Sequence, residues 1–443
     1  MADVTEKDRS VSNGVAAAPK ARSRQFHVAA ASLGNLLEWF DWYLYSSLAL
    51  YFAPAFFPQG DRTVQLMNAA AVFAVGFLMR PAGAAVLGAY ADRHGRKSAL
   101  TLSVTLMCLG SVIIALTPEY RAVGIWAPAL LLLARLLQGI SVGGEFGASS
   151  TYLTEVASSR HRGFYSSFQG MTGIAGQLLA IGTLVVLQLV LTREQLSTWG
   201  WRIPFVVAAF GTLFVLVLRR NLVETETFSH QRSAEAESPL RALMRHPRAV
   251  LTAIGLTVGG IVAYYTYTAY MQKFLVNTVG FSTELAAQLS AASLLIYMLL
   301  QPLFGALSDR IGRKPLLIGF GIMGTVLTVP IMTLLERVQS PIVAFLLILA
   351  ALIIVSGYTA IHAVVRAELF PTGIRALGIA LPYALTVSLF GGTAEYVALS
   401  LKNAGHESWF YWYVSGCVLI SLIVYLTMPE TRNRDLSNIA PEH

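Results

Sequence analysis

Two carboxylates sit where an apolar chain has least use for them. The stretch GNLLEWFDWYLY, residues 34–45, lies inside an apolar run yet carries Glu38 and Asp41. A carboxylate at membrane depth costs roughly 2.5–3.5 kcal/mol on insertion scales, so such residues are rare and usually functional. Three residues apart, the two acids share one face of a helix, and Asn35 and Tyr45 extend the same polar stripe. Such a stripe should face a water-filled path or another helix. The expectation is a helix lining a route through the membrane, with one of its acids taking up and releasing a proton.

Further charges lie inside apolar segments. Arg135 opens RLLQGISVGG, with Gly139 and Gly143 forming a small-residue face suited to close helix packing. Arg80 stands in FLMRPAG beside Pro81, which removes a backbone donor and can kink the helix. A fixed guanidinium facing a cavity suits bidentate capture of a carboxylate, and the alternative is a pair with Glu38 or another acid. Tyr264, Tyr265, Tyr267 and Tyr270 crowd one segment that ends in Gln272 and Lys273. Either Tyr264, Tyr267 and Lys273 contact a carboxylate ligand, or they form an interfacial aromatic belt with a snorkelling lysine. Glu395, after Gly391 and Gly392, is a second proton site, a substrate-site residue or a partner for Lys273. His362 reads as a packed histidine.

The elements that must position these residues follow from composition. The 443 residues are 55% hydrophobic and only 13% charged, whereas a soluble domain is about a quarter charged. Twelve apolar spans are expected near 26–52, 64–91, 99–117, 125–155, 162–191, 202–219, 248–276, 284–308, 315–334, 341–369, 374–402 and 407–427. An even count puts both termini on one side of the bilayer. That side carries 23 of the 32 lysines and arginines and the other carries 7, with Arg80 and Arg135 inside spans. The positive-inside rule makes the richer side cytoplasmic. The basic balance therefore reflects topology rather than nucleic-acid binding. Cys108 and Cys417 lie in apolar segments and suggest no disulfide framework. No GxxxxGK, metal-ligand cluster or hydrolase elbow occurs, so neither a cofactor nor an enzyme is expected.

The chain also repeats itself. GAYADRHGRK at 88–97 recurs as GALSDRIGRK at 305–314, after the second span of each half. A decapeptide duplicated at equivalent positions indicates two six-helix bundles. The expected organisation is a disordered cytoplasmic tail (1–25), an N-terminal bundle (26–219), a charged cytoplasmic loop (220–247), a C-terminal bundle (248–427) and a cytoplasmic tail (428–443).

GxxxDRxGRK after the second span resembles the signature of the major facilitator superfamily, and the resemblance covers the chain from about residue 26. The runs GNLLEWFDWYLYSSLALYFAPAFFP, FLMRPAG, RLLQGISVGGEFG and WGWRIPF are similar to its metabolite:proton symporter branch. Within that branch, YTAYMQKFLVNT and FGGTAEYVALSLK most resemble members that carry 2-oxoglutarate. The resemblance implies an all-α membrane protein with two pseudo-symmetric six-helix bundles. It also implies proton-coupled import of a dicarboxylate by alternating access, as a monomer in a bacterial inner membrane. Its partners would be the carboxylate, protons and the lipid bilayer. Citrate, shikimate or a betaine-type zwitterion are alternatives within the branch, and a non-transporting sensor is another. The osmosensing members carry a heptad-bearing tail, which the roughly 15 residues from Pro429 do not resemble.

In sugar-porter relatives an Asp of the first span pairs with an Arg of the fourth. The resemblance places Asp41 and Arg135 in those positions, either as a protonation-driven switch or as a permanent structural pair. Glu38 is the alternative proton site. The superfamily motif implies a gate at the cytoplasmic face. Gly88, Asp92, Arg93, Arg96 and Lys97 would form one copy, Asp309, Arg310, Arg313 and Lys314 the other, with Glu155, Arg162, Glu368 and Arg375 as partners. Positive-inside topology alone is the plainer reading of the same loops.

Overall fold

In the computed structural model, residues 21–94, 96–156, 161–220, 243–371 and 374–432 are described, with side chains at 21–34, 88–89, 91–93, 96–97, 100, 144–156, 215, 218–220 and 376 excepted. The fold is all-α and has twelve transmembrane helices. The first six are α1 (Ala21–Phe56), α2 (Arg62–His94), α3 (Arg96–Leu116), α4 (Trp126–Val156), α5 (Arg162–Val190) and α6 (Ile203–Arg220). The second six begin with α7 (Pro247–Asn277), α8 (Thr283–Ile311), α9 (Arg313–Arg337) and α10 (Pro341–Ala367). They end with α11, built of Arg375–Thr386 and Ala394–Asn403 around a π turn, and α12 (Glu407–Thr427).

Nine segments of the described residues are each long and apolar enough to cross a bilayer. The other three helices are α1, which carries the two acids, and α3 and α6, whose apolar stretches are shorter. α1 is already helical at Ala21, the first described residue, ahead of the apolar run. Pro247 and Pro341 occupy helix starts, where their missing N–H costs nothing. Ser282 caps α8 by accepting from Leu285 N at 3.1 Å. Gly312, at φ 106°, makes the turn from α8 into α9.

The halves meet along two long contacts, α2 with α11 and α5 with α8. The two copies of the decapeptide begin at the ends of α2 and α8, so the two interfaces are pseudo-twofold counterparts. Within the first half α2 packs along α4 and α3 along α6, and within the second α9 packs along α12. Two π turns, Thr266–Tyr270 in α7 and Val387–Gly391 in α11, interrupt the regular winding. Such turns add a residue locally and often mark functional sites. They precede Lys273 and Glu395 respectively. The face where α1 begins and α12 ends is called the terminal face below, and the other the opposite face.

Candidate functional site

Asp41 is fully buried at the centre of the first half. It accepts a short hydrogen bond from Ser111 Oγ of α3 and a longer one from Gln138 Nε2 of α4, at 3.2 Å. Gln138 Oε1 in turn accepts from Arg135 Nη1 at 2.7 Å. The direct Asp41–Arg135 pair expected from the sequence is therefore replaced by a relay. Gln138 lies three residues after Arg135, on the same helical face, and occupies the space between them. Asp41 Oδ1 and Arg135 Nε and Nη2 have no hydrogen-bond partner. The Arg135 guanidinium instead lies over the rings of Trp42, Tyr45 and Phe73, 4.0, 4.8 and 5.0 Å from their centroids. Desolvated cation–π contacts of this kind are worth about 2 kcal/mol. Glu38, one turn before Asp41, is half-buried.

Arg80 is also buried, and its guanidinium lies 4.0 Å from the Phe77 centroid, 4.3 Å from Trp42 and 5.4 Å from Trp39. It enters no ion pair among the described residues, and its Nε and Nη2 have no hydrogen-bond partner. The glycines of α2 and α4 allow this arrangement. A Cβ on Gly139 would stand 2.1 Å from Gly76 O, and one on Gly143 would stand 2.1 Å from Arg80 O. Any side chain there would push the helices apart.

The second half contributes a different cluster. Lys273, expected at the interface, in a substrate site or as the partner of Glu395, is completely buried and pairs with Glu395 at 3.1 Å. Its ammonium also donates to Ser46 Oγ at 2.5 Å, and Ser46 Oγ donates to Glu395 Oε2 at 3.4 Å. Ser46 belongs to α1, so this cluster bridges the two halves. The snorkelling alternative fails because α7 is covered on every face at this level, with each residue from Tyr265 to Val276 buried, so no side of it reaches lipid headgroups.

A cavity of about 50 Å³ lies between the halves, lined among others by Trp39, Tyr43, Tyr264, Tyr265, Tyr358 and His362. At roughly 10–15 Å³ per water it holds a few waters. Tyr264 and Tyr43 share a hydrogen bond across it at 3.0 Å, and Tyr264 donates to Gln177 at 3.3 Å. Tyr267 is not part of this wall; its hydroxyl donates to Thr328 of α9 at 3.1 Å, inside the second half. His362 is stacked against Tyr358 and Tyr383, as a packed histidine should be.

At the terminal face the second decapeptide copy is engaged. Asp309 accepts from the backbone of Gly163 and Phe164 at 2.8 and 2.9 Å, capping the N-terminus of α5 from the other half. Arg313 pairs with Asp309 at 2.8 Å and with Glu368 at 3.5 Å, and Arg162 reaches Glu368 at 3.6 Å. Thr431 donates to the same glutamate at 2.7 Å. Glu368 thus faces Arg162 and Arg313, and Arg375 donates to Phe370 O at 3.2 Å. The side chains of Gly88, Asp92, Arg93, Arg96, Lys97 and Glu155 lie outside the described residues. So do the termini beyond 21 and 432 and most of the central loop.

Four participants escaped the sequence reading. Gln138 was signalled by its spacing from Arg135. Ser46, Ser111 and Tyr43 carried no signal beyond being polar or aromatic in an apolar run.

A duplicated twelve-helix bundle with charged side chains buried inside it is a membrane transporter with the major facilitator fold. The chain belongs to the sugar (and other) transporter family, whose model matches residues 27–245 and 219–442. It is 50% identical to the alpha-ketoglutarate permease of Escherichia coli (strain K12) over 92% of this chain and 94% of that one. It is 35% identical to a citrate-proton symporter of Klebsiella pneumoniae over 83% of each chain. Among solved structures, a D-xylose-proton symporter superposes with a TM-score of 0.75 at 21% identity, covering 93% of this chain and 99% of that one.

Proposed function

We propose that this protein is a proton-coupled symporter that imports a dicarboxylate, 2-oxoglutarate first among them, by alternating access, and that it has no catalytic activity of its own. The observation that carries this reading is a trio of cations buried inside the helix bundle. Of Arg80, Arg135 and Lys273, only Lys273 meets a carboxylate within ion-pair distance among the described residues. Buried charge without a counter-ion is costly, and a dianion brought to these side chains relieves it. A zwitterion relieves it less. The identity to a permease named for alpha-ketoglutarate supports the same substrate; the likeness to a citrate-proton symporter makes citrate the second reading.

In this reading Asp41 carries the proton, with Arg135 one glutamine away, and Glu38 is the alternative carrier. Arg80 and Lys273 capture the two carboxylates, Tyr264 walls the cavity, and Glu395 holds Lys273 until substrate displaces it. Asp309, Arg313, Glu368 and Arg162 close the terminal face. Gly88, Asp92, Arg93, Arg96, Lys97, Glu155 and Arg375 supply the counterpart gate. The bundles 26–219 and 248–427 move as units around the site, within a monomer. The terminal face is the cytoplasmic side of a bacterial inner membrane, as its positive charge supports.

Moving each negative charge inward against an inside-negative potential costs about 2.3 kcal/mol per 100 mV. A dianion therefore needs at least two protons to be neutralised. The test is uptake of labelled 2-oxoglutarate into proteoliposomes under an imposed inward proton gradient. Excess unlabelled succinate, citrate and betaine should separate the substrate classes. Uptake indifferent to a protonophore and to external pH overturns proton coupling, and competition by betaine alone overturns the dicarboxylate.

A further inference from the structure

Trp42 follows Asp41 directly, is fully buried, and its indole Nε1 has no hydrogen-bond partner. Two guanidinium groups from different helices address its ring, Arg80 of α2 at 4.3 Å and Arg135 of α4 at 4.0 Å from the centroid. The glycine contacts hold α2 and α4 at a fixed separation, so the two arginines cannot readily move toward each other. The Cβ that Gly76 lacks would stand 3.2 Å from both the Trp42 ring and Arg135 O, so the indole lies against that helix contact. Phe73 and Phe77 bound the ring further, at 5.6 and 4.8 Å between centroids. Each arginine keeps N–H groups with no acceptor.

We propose that Trp42 is a positioning residue that couples carboxylate capture at Arg80 to the proton on Asp41, by presenting one aromatic ring to both guanidinium groups. The inference rests on the functional reading above, in which Arg80 takes a carboxylate and Asp41 a proton. A carboxylate arriving at Arg80 engages the unpartnered Nε and Nη2 and loosens that guanidinium from the ring. The ring then settles toward Arg135. Arg135 shifts its hold on Gln138, and Gln138 is a donor to Asp41. Occupancy at one arginine thereby alters how firmly a carboxyl on the next residue keeps its proton, and linkage requires the reverse as well. The other groups that face this pair are Tyr45 of α1, Ser111 and Cys108 of α3, Tyr265 of α7 toward Arg80, and Glu395 of α11 toward Tyr45.

The full chain with Trp42→Phe or Trp42→Leu, in proteoliposomes, separates coupling from packing. Counterflow at equal pH needs no net proton movement, whereas accumulation under a pH gradient does. Trp42→Phe should keep counterflow within about threefold and lose about tenfold in accumulation, with a flattened dependence of KM on pH, because benzene is the weaker cation acceptor. A parallel fall in both activities, or no change in either, overturns the proposal. Where Trp42→Leu fails to reach the membrane, protein labelled with 5-fluorotryptophan serves instead. The ¹⁹F resonance absent from Trp42→Phe should shift with 2-oxoglutarate in the wild type but not in Arg80→Gln, and with pH in the wild type but not in Asp41→Asn. A resonance that ignores pH or, in transport-competent protein, ignores substrate overturns it. A wild type that transports no 2-oxoglutarate overturns the functional reading instead, and the pH arm still decides the role of Trp42.

Discussion

The two buried acids Asp41 and Glu395 are held in opposite ways. Asp41 receives neutral donors, Ser111 and Gln138, all from its own half, and its nearest cation stands one residue removed. Glu395 touches a lysine directly and shares Ser46 with the other half. Neutral donors tolerate either charge state of a carboxyl, since an amide or hydroxyl bonds to both. A direct buried ion pair does not, because removing one charge strands the other in a medium that solvates it poorly. The first arrangement suits an acid that changes protonation while its half stays intact. The second suits a contact that breaks when the halves separate.

This contrast can be broken by mutation. Asp41→Asn should reduce gradient-driven accumulation by about 100-fold, the scale of losing a proton-transferring side chain, while counterflow of preloaded substrate stays within a few fold. Wild-type accumulation in that variant would remove Asp41 from the mechanism. Lys273→Met should cost about 3–5 kcal/mol of stability by stranding Glu395, and Lys273→Met with Glu395→Leu should recover most of it. Thermal unfolding of detergent-solubilised protein measures both; equal losses in single and double variants would show that the pair is not the relevant unit. Arg80→Lys keeps the charge but loses the planar fork, so KM for a dicarboxylate should rise about tenfold with little change in maximal rate. An unchanged KM would mean that the clamp lies elsewhere.

The smallest effect sharpens the comparison from outside the membrane. Glu430 is a third acid, at the terminal face. Partial burial pushes its pKa up, but the backbone N–H groups of Arg432, Arg313, Lys314 and Thr431 outweigh this and hold it below the ordinary glutamate value. Its folded-state pKa is depressed, so its contribution is present above the unfolded value and fades as pH falls through the folded one. Wild type should therefore lose a little thermal stability on acidification across the range below the ordinary glutamate value, and Glu430→Gln should flatten that slope. An identical slope in the variant would show that these backbone bonds do not favour the charged form.

Much of this was legible in order along the chain. The apolar spans, the duplicated decapeptide and the charged residues inside spans are local patterns, and each marked a real feature. The small-residue face at Gly139 and Gly143 was legible too, since close helix approach leaves few alternatives to glycine. Other residues left alternatives that no local pattern resolves. Lys273 read as a substrate contact, a partner of Glu395 or an interfacial lysine, because nothing local says that α7 is covered on every face. Tyr267 looked like its neighbour Tyr264, yet its hydroxyl bonds to Thr328 inside the second half. Gln138 was visible beside Arg135, but nothing in one sequence says that it would stand between Arg135 and an acid 97 residues earlier.

The sequence by itself determined that this chain crosses a membrane twelve times in two related halves and keeps several charges at depth. Those properties follow from run length, repetition and residue type, which need no knowledge of neighbours. Only the tertiary structure decided which charge meets which partner. That choice depends on helix crossings, which bring together segments far apart in the chain.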